Sequence, residues 1–197
     1  MRYFIIETLG DDQDSKLAFI DSPPEDLGLY DYCMARGEPI GDRYPAEARI
    51  YLKPKSPGIK MSSLIGNTQS YLIVNTEMKN VILEYCPRCN IETLSFSLYN
   101  HKKRVHSDDY WIINPIGYVD CVNRAASDIR YLSSDPTKVV AVRKFVLEPK
   151  RLESAPHLFR VPEDREKYII SEHLAKAFQE RNFSNIFLIE IDQKEAG

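Results

Sequence analysis

Two stretches of this chain follow one order of elements. Tyr71-Leu72-Ile73-Val74 reads as a short buried strand and Asn75-Thr76 as helix-starting residues. Met78, Val81, Ile82 and Tyr85 follow at i, i+3, i+4 and i+7, which gives a helix one apolar face. Pro87 stops that helix, and Ile91 to Leu98 resumes as a strand, with Leu94, Phe96 and Leu98 on one face and Ser95 and Ser97 on the other. The same order returns later: Tyr168-Ile169-Ile170 as strand, Ser171 as N-cap, Leu174, Ala177 and Phe178 as stripe, and Ile186 to Ile191 as strand. Val74 and Ile170, Asn75 and Ser171, Met78 and Leu174, and Ile82 and Phe178 are related by an offset of about 96, slipping to about 95 at Ile91 and Ile186. The pattern predicts an internal strand-helix-strand duplication. Two copies with few identities are also what generic α/β patterning produces.

Between the copies, Tyr110-Trp111-Ile112-Ile113-Asn114-Pro115-Ile116-Gly117-Tyr118-Val119-Asp120-Cys121-Val122 is the densest β-branched and aromatic run and holds the only tryptophan. It predicts a buried strand that bends at Asn114-Pro115 and resumes at Ile116. Asn123 to Asp128 reads as one helical turn, Ser133-Ser134-Asp135-Pro136 as a turn, and Val139 to Leu147 and the alternating His157 to Val161 as strands. Ahead of the copies, Tyr3 to Glu7 and Leu17 to Ile20 are strands flanking a polar turn from Gly10 to Ser15. From Asp21 to Pro57 recurring prolines and glycines, including Pro54 and Pro57, predict short strands and loops. Tyr30, Tyr32, Tyr44 and Tyr51 there are large surfaces that seek a core. The expected class is α+β, a largely antiparallel or mixed sheet with two principal helices. One domain spans residues 1–197, with 1–69 a Pro/Gly-rich acidic part and 70–197 the core.

A chain of 197 residues can bury roughly 70% of its unfolded surface, so it needs no staples. A net charge of -3 excludes a strongly basic nucleic-acid binder. Residues 1–50 carry eleven acidic side chains against five basic ones, a net of -6 that leaves +3 for the rest. Asp11, Asp12 and Asp14 crowd one polar segment, either a solvated loop or an anion-presenting surface for a basic partner. The apolar run from Tyr3 stops at Glu7, and none approaches the ~18 residues of a membrane span, so the reading is a cytosolic protein with no membrane partner. Cys33, Cys86, Cys89 and Cys121 are accordingly expected as free thiols.

Cys86-Pro87-Arg88-Cys89 with His101 and His106 has the spacing C-x2-C-x11-H-x4-H, near that of a tetrahedral zinc finger. A finger needs both histidines on one helix face, whereas Leu94 to Leu98 alternates and Asn100-His101-Lys102-Lys103 reads as a hairpin turn. In the second copy Asn182 and Asn185 stand near the cysteine positions. A plain loop is therefore the favoured reading, a zinc site with Cys86, Cys89, His101 and His106 an alternative, and a redox pair a weaker one. Lys102-Lys103-Arg104 reads as a solvated turn tip, and His157 and His173 as structural or surface residues. The sequence carries no P-loop, dinucleotide turn, G-x-S-x-G elbow or H-E-x-x-H, so neither catalytic residues nor a cofactor are expected.

From about Ser70 to Ile191 the chain resembles the α+β immunity-protein family of bacterial polymorphic-toxin systems known as Imm-eleven. The resemblance rests on Leu72-Ile73-Val74-Asn75, Asn100-His101-Lys102, Tyr110-Trp111-Ile112-Ile113-Asn114-Pro115, Val119-Asp120, His157-Leu158-Phe159-Arg160 and Tyr168-Ile169-Ile170-Ser171. Gly37-Glu38-Pro39-Ile40 is the match in the looser first 70 residues. The chain departs from the pattern in having Asn123 where a second acidic residue follows Asp120, and in its Cys86/Cys89 pair. The resemblance implies a cytosolic protein encoded beside a toxin, which neutralises that toxin's effector domain by stoichiometric occlusion. If that toxin recognises a polyanion or nucleotide, Asp11, Asp12 and Asp14 are the candidate partner-binding residues, as its mimic. A general interaction module of the same fold, and a metal protein or enzyme, are the rival readings.

Overall fold

Asn75 and Ser171 each end a buried strand and open a helix. Both keep extended backbone (φ -72°, ψ 167° and φ -75°, ψ 161°). The Asn75 side chain accepts from the Met78 amide at 3.0 Å and Ser171 Oγ from the Leu174 amide at 3.4 Å, satisfying a donor that helical bonding leaves free.

The computed structural model describes residues 1–9, 14, 16–53 and 58–195. In chain order these form β1 (Tyr3–Glu7), β2 (Phe19–Ile20), α1 (Tyr32–Arg36), β3 (Arg49–Tyr51), β4 (Leu64–Asn67), β5 (Leu72–Asn75), α2 (Thr76–Tyr85), β6 (Ile91–Tyr99) and β7 (Val105–Pro115). Then follow β8 (Asp128–Leu132), β9 (Asp135–Lys144), β10 (Val146–Leu147), β11 (Leu158–Val161), β12 (Asp164–Ser171), α3 (Glu172–Glu180), β13 (Phe187–Glu190) and β14 (Asp192–Gln193). The class is α+β and mostly β, as the patterning indicates.

The duplication is deeper than strand-helix-strand. One sheet runs β2-β4-β5-β7-β6-β3, and its inner four strands, all antiparallel, match the order of the second sheet, β11-β12-β1-β13. In each, the strand that feeds the helix pairs on one side with the strand before it and on the other with a central strand, beyond which lies the strand after the helix. The registers agree: Asn75 faces Tyr110, and Ser171 faces Tyr3. The first strand of the chain, Tyr3-Phe4-Ile5-Ile6, thus occupies the place that Tyr110-Trp111-Ile112-Ile113 takes in the other unit. Even the tyrosine hydroxyls act alike, Tyr110 donating to the Ser62 carbonyl at 2.7 Å and Tyr3 to that of Leu152 at 3.4 Å.

The two helices pack between the sheets. Met78, Val81 and Ile82 of α2 and Leu174, Ala177 and Phe178 of α3 join Ile6, Val74, Ile113 and Ile170 in one central cluster. At ~25 cal/mol per Å² of apolar surface, such burial is the main favourable contribution to folding. The outer face of each sheet has its own cover: residues 18–52 over Ile65, Ile73 and Ile112, and Cys121, Val122, Phe145, Leu147 and Leu152 over Ile5, Phe159 and Ile169.

Several local expectations are corrected. The long strand begins at Val105 and ends at Pro115 without resuming at Ile116, because Gly117 turns the chain at φ 80° and the Ile116 and Gly117 amides bond the Asn90 and Gly37 carbonyls. A short helix, α1, stands where only strands and loops are expected. Gly37 closes it at φ 67°, and a side chain there would meet the Pro115 carbonyl oxygen at 2.8 Å. Asn123 to Ser127, by contrast, makes the single turn expected, with the Asn123 carbonyl accepting from Ala126 and Ser127. Leu158 to Val161 does not alternate: all four are buried, including Arg160 at 0% exposure. Its guanidinium donates to the Met34 and Ala35 carbonyls at 2.7 and 2.6 Å, to the Arg165 carbonyl and to Tyr168 Oη at 2.7 Å, so backbone dipoles replace a carboxylate partner. Apart from Asp14, the Gly10 to Ser15 turn lies outside the described residues, as do Pro54 and Pro57.

Candidate functional site

The proposed zinc ligands are not brought together. Cys86 caps the C-terminus of α2 and Cys89 follows in a turn, its amide donating to the Cys86 carbonyl at 3.1 Å. His101 sits at the far end of β6, nine extended residues and roughly 30 Å away, at the tip of the β6–β7 hairpin, where its Nε2 donates to the Lys53 carbonyl. His106 lies on β7 beyond it. Among the described residues no group of three or more His, Cys, Asp or Glu is placed to hold a metal, and all four cysteines are free. The spacing imitates a finger, but a strand stands where the helix has to be. In the second unit Asn182 and Asn185 close the equivalent loop at φ 53° and 62°. Asn185 also bonds Leu64 and Leu9, tying the loop to β4 and to the segment that follows β1.

Beside this turn is a cleft of about 460 Å³ lined by Tyr85, Cys86, Cys89, Tyr118, His157 and Phe159, among others. Its groups suggest chemistry at first sight: His157 Nδ1 lies 2.6 Å from Ser171 Oγ, the contact of a nucleophile with its base. Ser171, however, is fully buried, and its oxygen already accepts from the Leu174 amide as the helix cap. His157 packs between Tyr85 and His173, and burial, with the neighbouring imidazole, pulls its pKa below the ordinary value. Burial and Cys89 push the Cys86 thiol up to about 12, so it stays protonated at neutral pH. The pair therefore holds α3 against β11, and the cleft is an apolar surface with polar edges.

A second cleft, of about 500 Å³, opens beneath the β8–β9 ribbon. The ribbon is a two-stranded sheet of its own, rooted where Ile129 and Val142 pack on the outer core and turning at Ser133-Ser134. The cleft is lined by Tyr131, Thr137 and Val139 from the ribbon and by Arg124, Pro162 and Glu163 from the body, with Pro136 at its edge. Glu163 Oε1 accepts from Arg124 Nε at 2.7 Å, and the Glu163 side chain is only 2% exposed. Its other oxygen, Oε2, has no hydrogen-bond partner among the described residues. Around this pair Arg124 reaches Asp120 at 3.2 Å, Arg151 reaches the same carboxylate at 3.2 Å, and Arg151 meets Glu148 at 2.7 Å. Three carboxylates thus face two guanidiniums. Burial, then Glu163 and Asp120, push the adjacent Cys121 thiol up to about 12.

Of the acidic stretch singled out in the sequence, Asp11 and Asp12 lie outside the described residues. Asp14 is ion-paired with Lys60 at 3.0 Å, and this bond, with the Lys16 amide, holds its pKa below the ordinary carboxylate value. The structure brings Asp14 together with neither cleft's lining residues. Sequence reasoning missed Glu163, Arg124 and Tyr131, of which Glu163 lies more than thirty residues from the other two. The one local signal was an acidic residue directly after Pro162 at the end of a buried strand.

No helix among the described residues is long and apolar enough to cross a membrane. A family model described as "Immunity protein family (Imm11)" matches residues 11–193. No curated protein matches the chain.

Proposed function

The chain belongs to the Imm11 immunity protein family, and on that premise we propose that it binds a bacterial effector toxin encoded beside it and neutralises it by stoichiometric occlusion. The observation that carries this reading is the family match over nearly the whole chain. The architecture supports it. Two sheets clamp a shared helical layer, each outer face has its own apolar cover, and the remaining variety lies in loops, clefts and a projecting ribbon. A rigid body that presents irregular surface at its edges is suited to covering another protein's cleft, and such protection requires no bond to be made or broken. The protein acts in the cytosol, where its free thiols persist and where a toxin entering the producer or its siblings meets its target. Asp11, Asp12 and Asp14, within an N-terminal part of net charge -6, steer a basic toxin surface toward the protein.

Co-expression with the product of the neighbouring open reading frame tests the proposal. Cells are expected to survive only when this protein is present, and the two proteins to co-purify in a 1:1 complex. Survival without it, or a toxic product that neither binds it nor is neutralised by it, overturns the reading.

A further inference from the structure

Glu163 is an unusual carboxylate to leave half-bonded. Buried polar groups in folded proteins nearly all have partners, and a buried charged oxygen is the most costly to leave without one. Yet Arg124 Nε occupies only Oε1, and Oε2, on a side chain 98% withdrawn from solvent, has no partner among the described residues. Glu163 also lies on the wall of the cleft beneath the ribbon, and the surrounding cluster of Asp120, Glu148 and Glu163 against Arg124 and Arg151 carries one uncompensated negative charge.

The remaining walls narrow the ligand class. Tyr131, Val139 and Pro162 supply apolar surface, with Tyr131 37% exposed. Arg124 and Thr137 supply polar edges. A ligand that fits has a slender apolar stem and a cationic, hydrogen-donating head, which describes a lysine or arginine side chain. A small metal cation is a poorer match, since the described residues gather no third ligand.

Resting on the immunity reading above, we infer that the ribbon cleft is a docking site for the toxin, into which one lysine or arginine of the toxin inserts to bond Glu163 Oε2 while its stem packs on Tyr131 and Val139. Arg124 then works as a positioning residue: it fixes Oε1 and leaves Oε2 as the acceptor. The ribbon is the facing wall, a two-stranded sheet of its own anchored where Ile129 and Val142 pack on the outer core.

The test measures affinity for the purified effector domain from the neighbouring open reading frame at low and high salt. Glu163→Gln, which places an amide where the acceptor stands, is expected to weaken binding at least tenfold and to flatten its salt dependence. Tyr131→Ala, which leaves the Glu163–Arg124 pair intact, is expected to weaken it at least tenfold with the salt dependence retained, and it carries the test should the glutamine variant not fold. Alanine replacement of the toxin's exposed lysines and arginines is expected to find one residue whose effect is non-additive with Glu163→Gln. Variants that fold like the parent, bind the toxin equally tightly and show no such coupling overturn the inference. That outcome leaves the wild-type complex intact, so it is distinct from failure of the immunity reading, in which the wild-type protein itself neither binds nor protects.

Discussion

The hydroxyl of Tyr168 accepts a hydrogen bond from the amide of Leu72 at 3.0 Å, and these two residues hold equivalent positions in the two units, 96 apart in the chain. The same hydroxyl donates to the Ser70 carbonyl at 3.0 Å and accepts from Arg160 at 2.7 Å, so its capacity is filled. Through Arg160 the bonds continue to the C-terminal carbonyls of α1. One buried oxygen thus joins both sheets and the N-terminal cover.

Tyr168→Phe removes that oxygen and leaves the buried Leu72 amide and the half-buried Ser70 carbonyl without it. We expect a loss on the order of 3 kcal/mol in urea unfolding, since an unsatisfied buried group costs far more than a neutral bond contributes. A change below about 0.5 kcal/mol would show that the junction matters little.

The caps are predicted to differ in importance. Asn75→Ala should cost about 1 kcal/mol, the usual value of an N-cap, while Ser171→Ala should cost more, because His157 Nδ1 loses its partner at the same time. Equal losses in thermal or urea unfolding would mean that the His157 contact contributes nothing.

Acid should weaken the fold through His157. Its folded pKa lies below the ordinary 6.5, so the folded state favours the neutral ring. Above pH 6.5 neither state binds the proton; as pH falls below 6.5 the unfolded chain takes it up first and stability drops, until the folded pKa is reached. The urea midpoint is therefore expected to decline on going from pH 7 to 5. His157→Asn, which retains a group at the Nδ1 position, should reduce that slope. An identical slope in the variant assigns the decline to carboxylates instead.

Thiol titration distinguishes the cysteines. Cys33, Cys86 and Cys121 are buried and Cys89 is half-exposed, so a thiol reagent should label one site in the native protein and four in urea. A chelator should leave the melting temperature unchanged, because the strand β6 separates Cys86 and Cys89 from His101. A melting point that falls on chelation would restore a metal role.

Replacing Asp11, Asp12 and Asp14 with serine is expected to slow association with the toxin severalfold and to reduce its dependence on salt, with little change in dissociation. Stopped-flow kinetics read this directly. Loss of the Asp14–Lys60 pair, which is exposed and screened by water, should leave stability almost unchanged, so the rate effect remains interpretable.

Much of this architecture is legible in the sequence wherever one face of an element is buried and the other is not. The stripes of α2 and α3, the caps Asn75 and Ser171 and the hairpin at Asn100 obey local rules, and the structure places them as those rules require. The partner of the central strand is harder to see, because Tyr3-Phe4-Ile5-Ile6 precedes its unit while Tyr110-Trp111-Ile112-Ile113 follows its own; only comparison of the two tetrapeptides exposes the match. Arg160 reads as the polar face of a strand, since nothing nearby in sequence announces that the end of α1 will supply its acceptors. The ribbon cleft is less legible still. Glu163, Arg124 and Tyr131 come from three elements, and a site assembled by topology leaves no spacing to read.

The position of β1 also sets a timetable. Ile5 pairs with Ile169 and Ile189, which the ribosome adds about 160 to 185 residues later, or roughly 8–40 s at 5–20 residues per second. Until then Tyr3 to Glu7 is an orphan segment of bare apolar side chains, which a chaperone must shield or the nascent first unit must tolerate. The second sheet therefore has to wait for residues 164–190, whereas every strand of the first lies within residues 19–115.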